Sequence, residues 1–64
     1  MNIIEDLQQE LDRNKKILTF YESIPQGAFG AVFIREGITS AEKAIAEMDT
    51  VKMITALKYL REIE

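Results

Sequence analysis

At 64 residues and 7.3 kDa the chain holds at most one small domain, a length that excludes most enzymes. It contains no cysteine, histidine or tryptophan. Disulfide frameworks, thiolate or imidazole metal sites, cysteine nucleophiles and histidine-based triads are therefore excluded. Eleven acidic residues against eight basic ones give a net charge of −3. The cations Arg13, Lys15, Lys16, Arg35, Lys43, Lys52, Lys58 and Arg61 are scattered, so no stripe follows a phosphate backbone and duplex DNA is a poor partner. A small anion in a local pocket needs only one or two charges and stays open.

A chain this size buries about 60% of its unfolded surface, roughly 6,000 Å². If about 60% of that is apolar, burial contributes on the order of 90 kcal/mol at about 25 cal/mol per Å². Ordering the residues costs about the same, at about 1.5 kcal/mol each. Self-association is the most available remedy for so thin a margin, and an oligomer is expected. The acidic start Met-Asn-Ile-Ile-Glu-Asp-Leu and the lack of an 18-residue apolar run predict neither a signal peptide nor a membrane span. A cytoplasmic, soluble protein is expected.

In chain order, the first helix is predicted over about 2–23, a stretch free of glycine and proline. Ile4, Leu7, Leu11, Asn14, Leu18 and Tyr21 repeat at spacings of 3, 4, 3, 4 and 3, a heptad seam with Asn14 in one core slot. An asparagine there more often fixes register or oligomer state than binds a ligand. Ile17, Phe20 and Ile24 add a second stripe, which implies contact with two neighbours. Pro25-Gln26-Gly27 ends the helix, because the residue before proline is pushed out of the α region.

Two readings compete for the next stretch. Ala28 to Ile34 reads as a buried strand, with Arg35-Glu36-Gly37 as a turn and Thr39-Ser40-Ala41-Glu42 as the capping box of a new helix. The rival is one helix over 28–48, since Ala31, Ile34, Ile38, Ala41, Ile45 and Met48 keep helical spacing straight through Gly37. A lone strand would leave its backbone groups unpaired, which favours the helix. Gly37 then costs about 1 kcal/mol and requires a packing reason. Asp49 reads as the N-cap of a last helix over 50–63, with Met53, Ile54, Leu57 and Leu60 facing inward. The expected fold is all-α: residues 1–64 form one helical domain of three helices with short connections, assembled as a homo-oligomer.

The functional candidates cluster at the first turn. Gly27-Ala28-Phe29-Gly30-Ala31 places small residues four apart, which lets another helix approach closely. The alternative is an anion site, in which the N–H groups of Ala28, Phe29 and Gly30 point outward beside Gln26 and Gly27. No Walker loop or dinucleotide fingerprint is present. Phe20, Tyr21, Phe29 and Phe33 flank the turn. They serve either as core or, for Tyr21 and Phe29, as stacking faces for a nucleobase. Arg35 adds a charge two turns on. No pair of acids stands out as general acid and base, and Ser23 and Ser40 lack a histidine to activate them. Catalysis, a cofactor and a metal are not expected.

Five segments form a larger pattern: Leu11-Asp12-Arg13-Asn14-Lys15, Tyr21-Glu22-Ser23-Ile24, Gly27-Ala28-Phe29-Gly30-Ala31, Ala41-Glu42-Lys43-Ala44-Ile45, and Asp49 with Met53 and Leu57 to Leu60. Together they resemble a family of very short phage and prophage proteins associated with anti-CBASS sponges, which bind cyclic dinucleotide immune signals and withhold them from effectors. The resemblance runs from about Leu11 to the end, and the GAFGA turn is its most specific part. It implies an all-helical tetramer (or a dimer) in the host cytoplasm. Such a protein sequesters a ligand such as 3′3′-cGAMP without degrading it, and in this chain the candidate ligand-binding residues are those read from the turn and its flanks: Tyr21, Gln26, Gly27, Ala28, Phe29 and Arg35. Ile24-Pro25-Gln26 and Val32-Phe33 depart from the family's Gly-Pro-Ala-like and Met-Met runs, and those departures bear on ligand identity more than on fold. The competing function is a small helical protein that binds a host protein.

Overall fold

A computed structural model describes residues 2–64. The helix α1 covers Ile3–Glu22, a single 3-10 turn covers Pro25–Gly27, and α2 and α3 cover Ala28–Ala46 and Thr50–Arg61. The protein is all-helical, and no strand occurs among the described residues. Residues 28–35 are therefore helix, and α2 passes through Gly37 unbroken.

Local chemistry sets each boundary. The Asn2 side chain caps α1 by accepting from the Ile4 and Glu5 N–H groups. Ile24 is extended before Pro25, which stops α1. At the other end of α2 the chain closes a Schellman turn: the Met48 N–H donates to the Ile45 carbonyl and the Asp49 N–H to the Ala44 carbonyl. Met48 occupies the left-handed position there, with φ of 55°. Three residues after α2 ends, the Asp49 carboxylate caps α3 by accepting from the Lys52 N–H at 3.0 Å.

The heptad seam of α1 packs inside the chain. Leu7, Leu11 and Asn14 are buried, and Ile4, Leu18 and Tyr21 are half-buried against the same core. That core takes Ile34, Ile38, Ala41 and Ala44 from α2 and Met53, Ala56, Leu57 and Leu60 from α3. The seam thus meets the chain's own second and third helices. Ile54, expected to face inward, points to solvent; the inward positions of α3 are Met53, Ala56, Leu57 and Leu60.

Asn14 has a different partner from a second asparagine. Its Nδ2 donates to the Glu10 carbonyl at 2.8 Å and to the Leu60 carbonyl at 3.3 Å. Arg13 donates to the same Leu60 oxygen at 2.8 Å while Glu10 holds its guanidinium. Two α1 side chains thereby cap the C-terminal end of α3, where a cation also meets the negative end of the helix dipole. The Asn14 Oδ1 is buried without a partner.

The packing reason for Gly37 is Tyr59. A Cβ on Gly37 would lie 2.6 Å from the Tyr59 ring, which crosses the helix there and donates its hydroxyl to the Phe33 carbonyl at 3.0 Å. At about 1.5 Å per residue, α1 and α2 span roughly 30 and 28 Å, but α3 spans only about 18 Å. The α1–α2 hairpin therefore overhangs the end of α3, and the molecule measures 36 × 18 × 17 Å.

Candidate functional site at the hairpin tip

The overhang carries aromatic side chains because the core beneath it has run out of a third helix. Four of them succeed one another around the tip. The Phe20 and Tyr21 rings meet edge to face at 6.2 Å. Tyr21 lies over Gly30, where a Cβ would sit 2.8 Å from its ring. Gly30 adjoins Phe29, whose ring lies 5.6 Å from that of Phe33. Phe29 is 77% exposed and Phe20 62%, so both rings offer faces to solvent. Ile24 and Val32 extend the apolar surface.

The six residues singled out by sequence separate into two groups. Gln26, Ala28, Phe29 and Arg35 are exposed, whereas Gly27 is buried and Tyr21 half-buried. Phe29 keeps a free ring face. The Tyr21 ring is engaged with Gly30 and Phe20, and its hydroxyl donates to the Glu64 carbonyl at 3.2 Å. Arg35 is held by Glu22 at 2.7 Å, an exposed pair that ties the end of α1 to α2.

The expected row of outward N–H groups is altered by the 3-10 turn. Gly27 donates its N–H to the Ile24 carbonyl at 3.0 Å, and Ala28 donates to the Pro25 carbonyl. The turn starts the helical hydrogen bonding early, so the Gly27 and Ala28 donors are already spent. Gly27 itself is required for closure: a Cβ there would fall 2.1 Å from the Tyr21 carbonyl oxygen. Its role is backbone approach, and substitution at this position reports on the fold before it reports on a ligand.

On the α1 side of the tip, Lys16, Ile17, Phe20, Tyr21 and Glu64 line an open apolar cleft of about 420 Å³. This lies within the range of small-molecule sites. Lys16 has no carboxylate within ion-pairing distance among the described residues, so its ammonium is available at the mouth. Sequence reasoning missed Lys16, Ile17 and Phe20 as a group. The signal was the second stripe, Ile17-Phe20-Ile24, which the short third helix leaves partly uncovered.

Two other features bear on chemistry. Among the described residues no cluster of three metal-ligating side chains occurs, and no helix is long and apolar enough to cross a membrane. Glu47 hydrogen-bonds Lys52 at 2.9 Å and raises the lysine pKa above its ordinary 10.5. The chain matches no protein-family model, and no curated protein or solved structure shows significant similarity to it.

Proposed function

We propose that the protein acts by binding, sequestering a cyclic oligonucleotide such as a cyclic dinucleotide without degrading it, as a self-associating helical protein of phage origin. The observation that carries this reading is the solvent-facing aromatic tip, above all Phe29. A ring that a small domain leaves uncovered is a platform on which a base stacks, worth about 1 to 3 kcal/mol per base. Lys16, in the cleft beside Phe20, and Arg35 supply cations for phosphates. Lys16 is the freer of the two, because Arg35 must first leave Glu22. The resemblance of the GAFGA turn to phage sponges supplies the ligand class.

A second reading is favoured by the same apolar surface: a contact for a host protein, since contiguous exposed apolar patches mark interaction sites. Calorimetry separates the two. Titration with a panel of cyclic dinucleotides and trinucleotides is expected to give micromolar or tighter binding to at least one, with none to ATP. Phe29→Ala is expected to weaken it roughly fivefold to a hundredfold, and chromatography should recover the ligand intact. No binding across the panel removes the sequestering reading, and a single stoichiometric partner recovered from host lysate then favours the second.

A further inference from the structure

The apolar cleft beside Phe20 holds a group that a site for phosphate alone would not carry. Ile17, Phe20 and Tyr21 form its walls, and Lys16 and Glu64 complete its lining. Two ties keep Glu64 there. The Tyr21 hydroxyl donates to the Glu64 carbonyl at 3.2 Å. The preceding Ile63 is half-buried against the core, and its N–H donates to the Leu60 carbonyl at 3.2 Å. The chain beyond α3 is thereby folded against α1. The Glu64 carboxylate itself pairs with no cation among the described residues, Lys16 included. Its oxygens are acceptors left unspent beside an apolar wall.

A negative charge in this place opposes a phosphate, so its use lies with the other part of a nucleotide, the base. We propose that the cleft takes a guanine base and that Glu64 reads its Watson–Crick edge. Unpaired bases are recognised by stacking on an aromatic ring and by hydrogen bonds along that edge. Guanine presents two donors there side by side, N1–H and the 2-amino group, and one carboxylate accepts from both. Adenine turns the N1 lone pair towards the same carboxylate and offers only its 6-amino group. Uracil and cytosine each offer a single donor group on that edge. Phe20 supplies the stacking ring. Lys16 offsets the charge of Glu64 and leaves its ammonium to the phosphate. The proposal rests on the sequestering reading and adds the base that one half of the ligand must contain.

Calorimetry with cyclic di-GMP, cyclic di-AMP and cyclic di-IMP, which lacks only the 2-amino groups, is the test. Cyclic di-GMP is expected to bind roughly tenfold tighter than cyclic di-AMP or better, with cyclic di-IMP between them. Glu64→Gln keeps one acceptor and gains a donor, which matches the adenine edge, so it should erase or reverse the preference. The variant should keep the parent's circular dichroism, because Glu64 is exposed. Equal affinity for cyclic di-GMP and cyclic di-AMP overturns the proposal while sequestration stands. A preference that Glu64→Gln leaves unchanged overturns it too. If no cyclic dinucleotide binds, the sequestering reading falls, and the cleft is decided by the mononucleotides. Titrated to millimolar concentration against ¹⁵N-labelled protein, guanosine 5′-monophosphate should shift Ile17 and Phe20 where adenosine 5′-monophosphate does not. Equal shifts, or none, overturn the assignment of guanine to this cleft.

Discussion

Single residues carry much of this fold, and Asn14 shows how. Its amide donates to two carbonyls, those of Glu10 and Leu60, from a site with no exposure to solvent. Aspartate has the same shape but no donor when ionised, and it would bring a charge next to two carbonyl oxygens. Asn14→Asp is therefore expected to cost about 3 kcal/mol or more at pH 7. The sign of its pH dependence is fixed by the same argument. Burial raises the folded-state pKa of the new carboxyl above the unfolded value of about 3.9. The penalty then grows as pH rises through that unfolded value and shrinks in acid. Urea melts of parent and variant between pH 3 and 7 measure it; a loss independent of pH would contradict the burial argument. Glycines offer a second contrast. At Gly27 an added methyl meets the Tyr21 backbone, which cannot step aside; at Gly37 it meets the Tyr59 ring, which can. Gly27→Ala is expected to lose more than Gly37→Ala, by at least about 1 kcal/mol, because a methyl at Gly37 also recovers helix propensity. Thermal melts of the two variants decide the order.

Among the elements, α2 was the hardest to read. Its first half, Ala28 to Ile34, is apolar enough to be a buried strand, and two things oppose that reading: helical spacing continues through Gly37, and no partner strand is available. The helical outcome follows from Ala31, Ile34, Gly37, Ile38, Ala41 and Ala44 forming one buried face. The Asp49 cap and the stop at Pro25 were legible because each rests on local chemistry. The use of the α1 seam was not. A seam at heptad spacing specifies an apolar partner helix without specifying whose helix it is, and here α2 and α3 of the same chain fill the role. The tip was legible only in part for a similar reason: spacing marked Phe29 and Tyr21, but the uncovered cleft depends on the length of α3. The turn between α2 and α3 yields its own expectation. Met48 holds a left-handed conformation that glycine adopts without steric cost. Met48→Gly should raise stability by about 0.5 to 1 kcal/mol, a gain of several degrees in Tm. An unchanged or lowered Tm would mean that Met48 makes contacts that outweigh its strain. The Glu47–Lys52 bond nearby favours the charged lysine, so its contribution is present below pH 10.5 and is lost as pH rises through the raised value.

The whole molecule is a short bundle with more surface than its mass requires. Its accessible area is 4542 Å², against about 4,200 Å² from the scaling of folded monomers. The difference accords with apolar side chains left uncovered at the aromatic tip of the α1–α2 hairpin and at Val51 and Ile54 on α3. The proposed ligand of the tip is a cyclic oligonucleotide held by base stacking. A titration of ¹⁵N-labelled protein with the best-binding cyclic dinucleotide, followed by two-dimensional NMR, tests it most directly. Saturable shift changes are expected at Lys16, Ile17, Phe20, Tyr21 and Gln26 to Phe33, with α3 from Val51 to Lys58 left in place and the changes suppressed in Phe29→Ala. Shifts concentrated on α3, or no shifts at all at millimolar nucleotide, would overturn that reading.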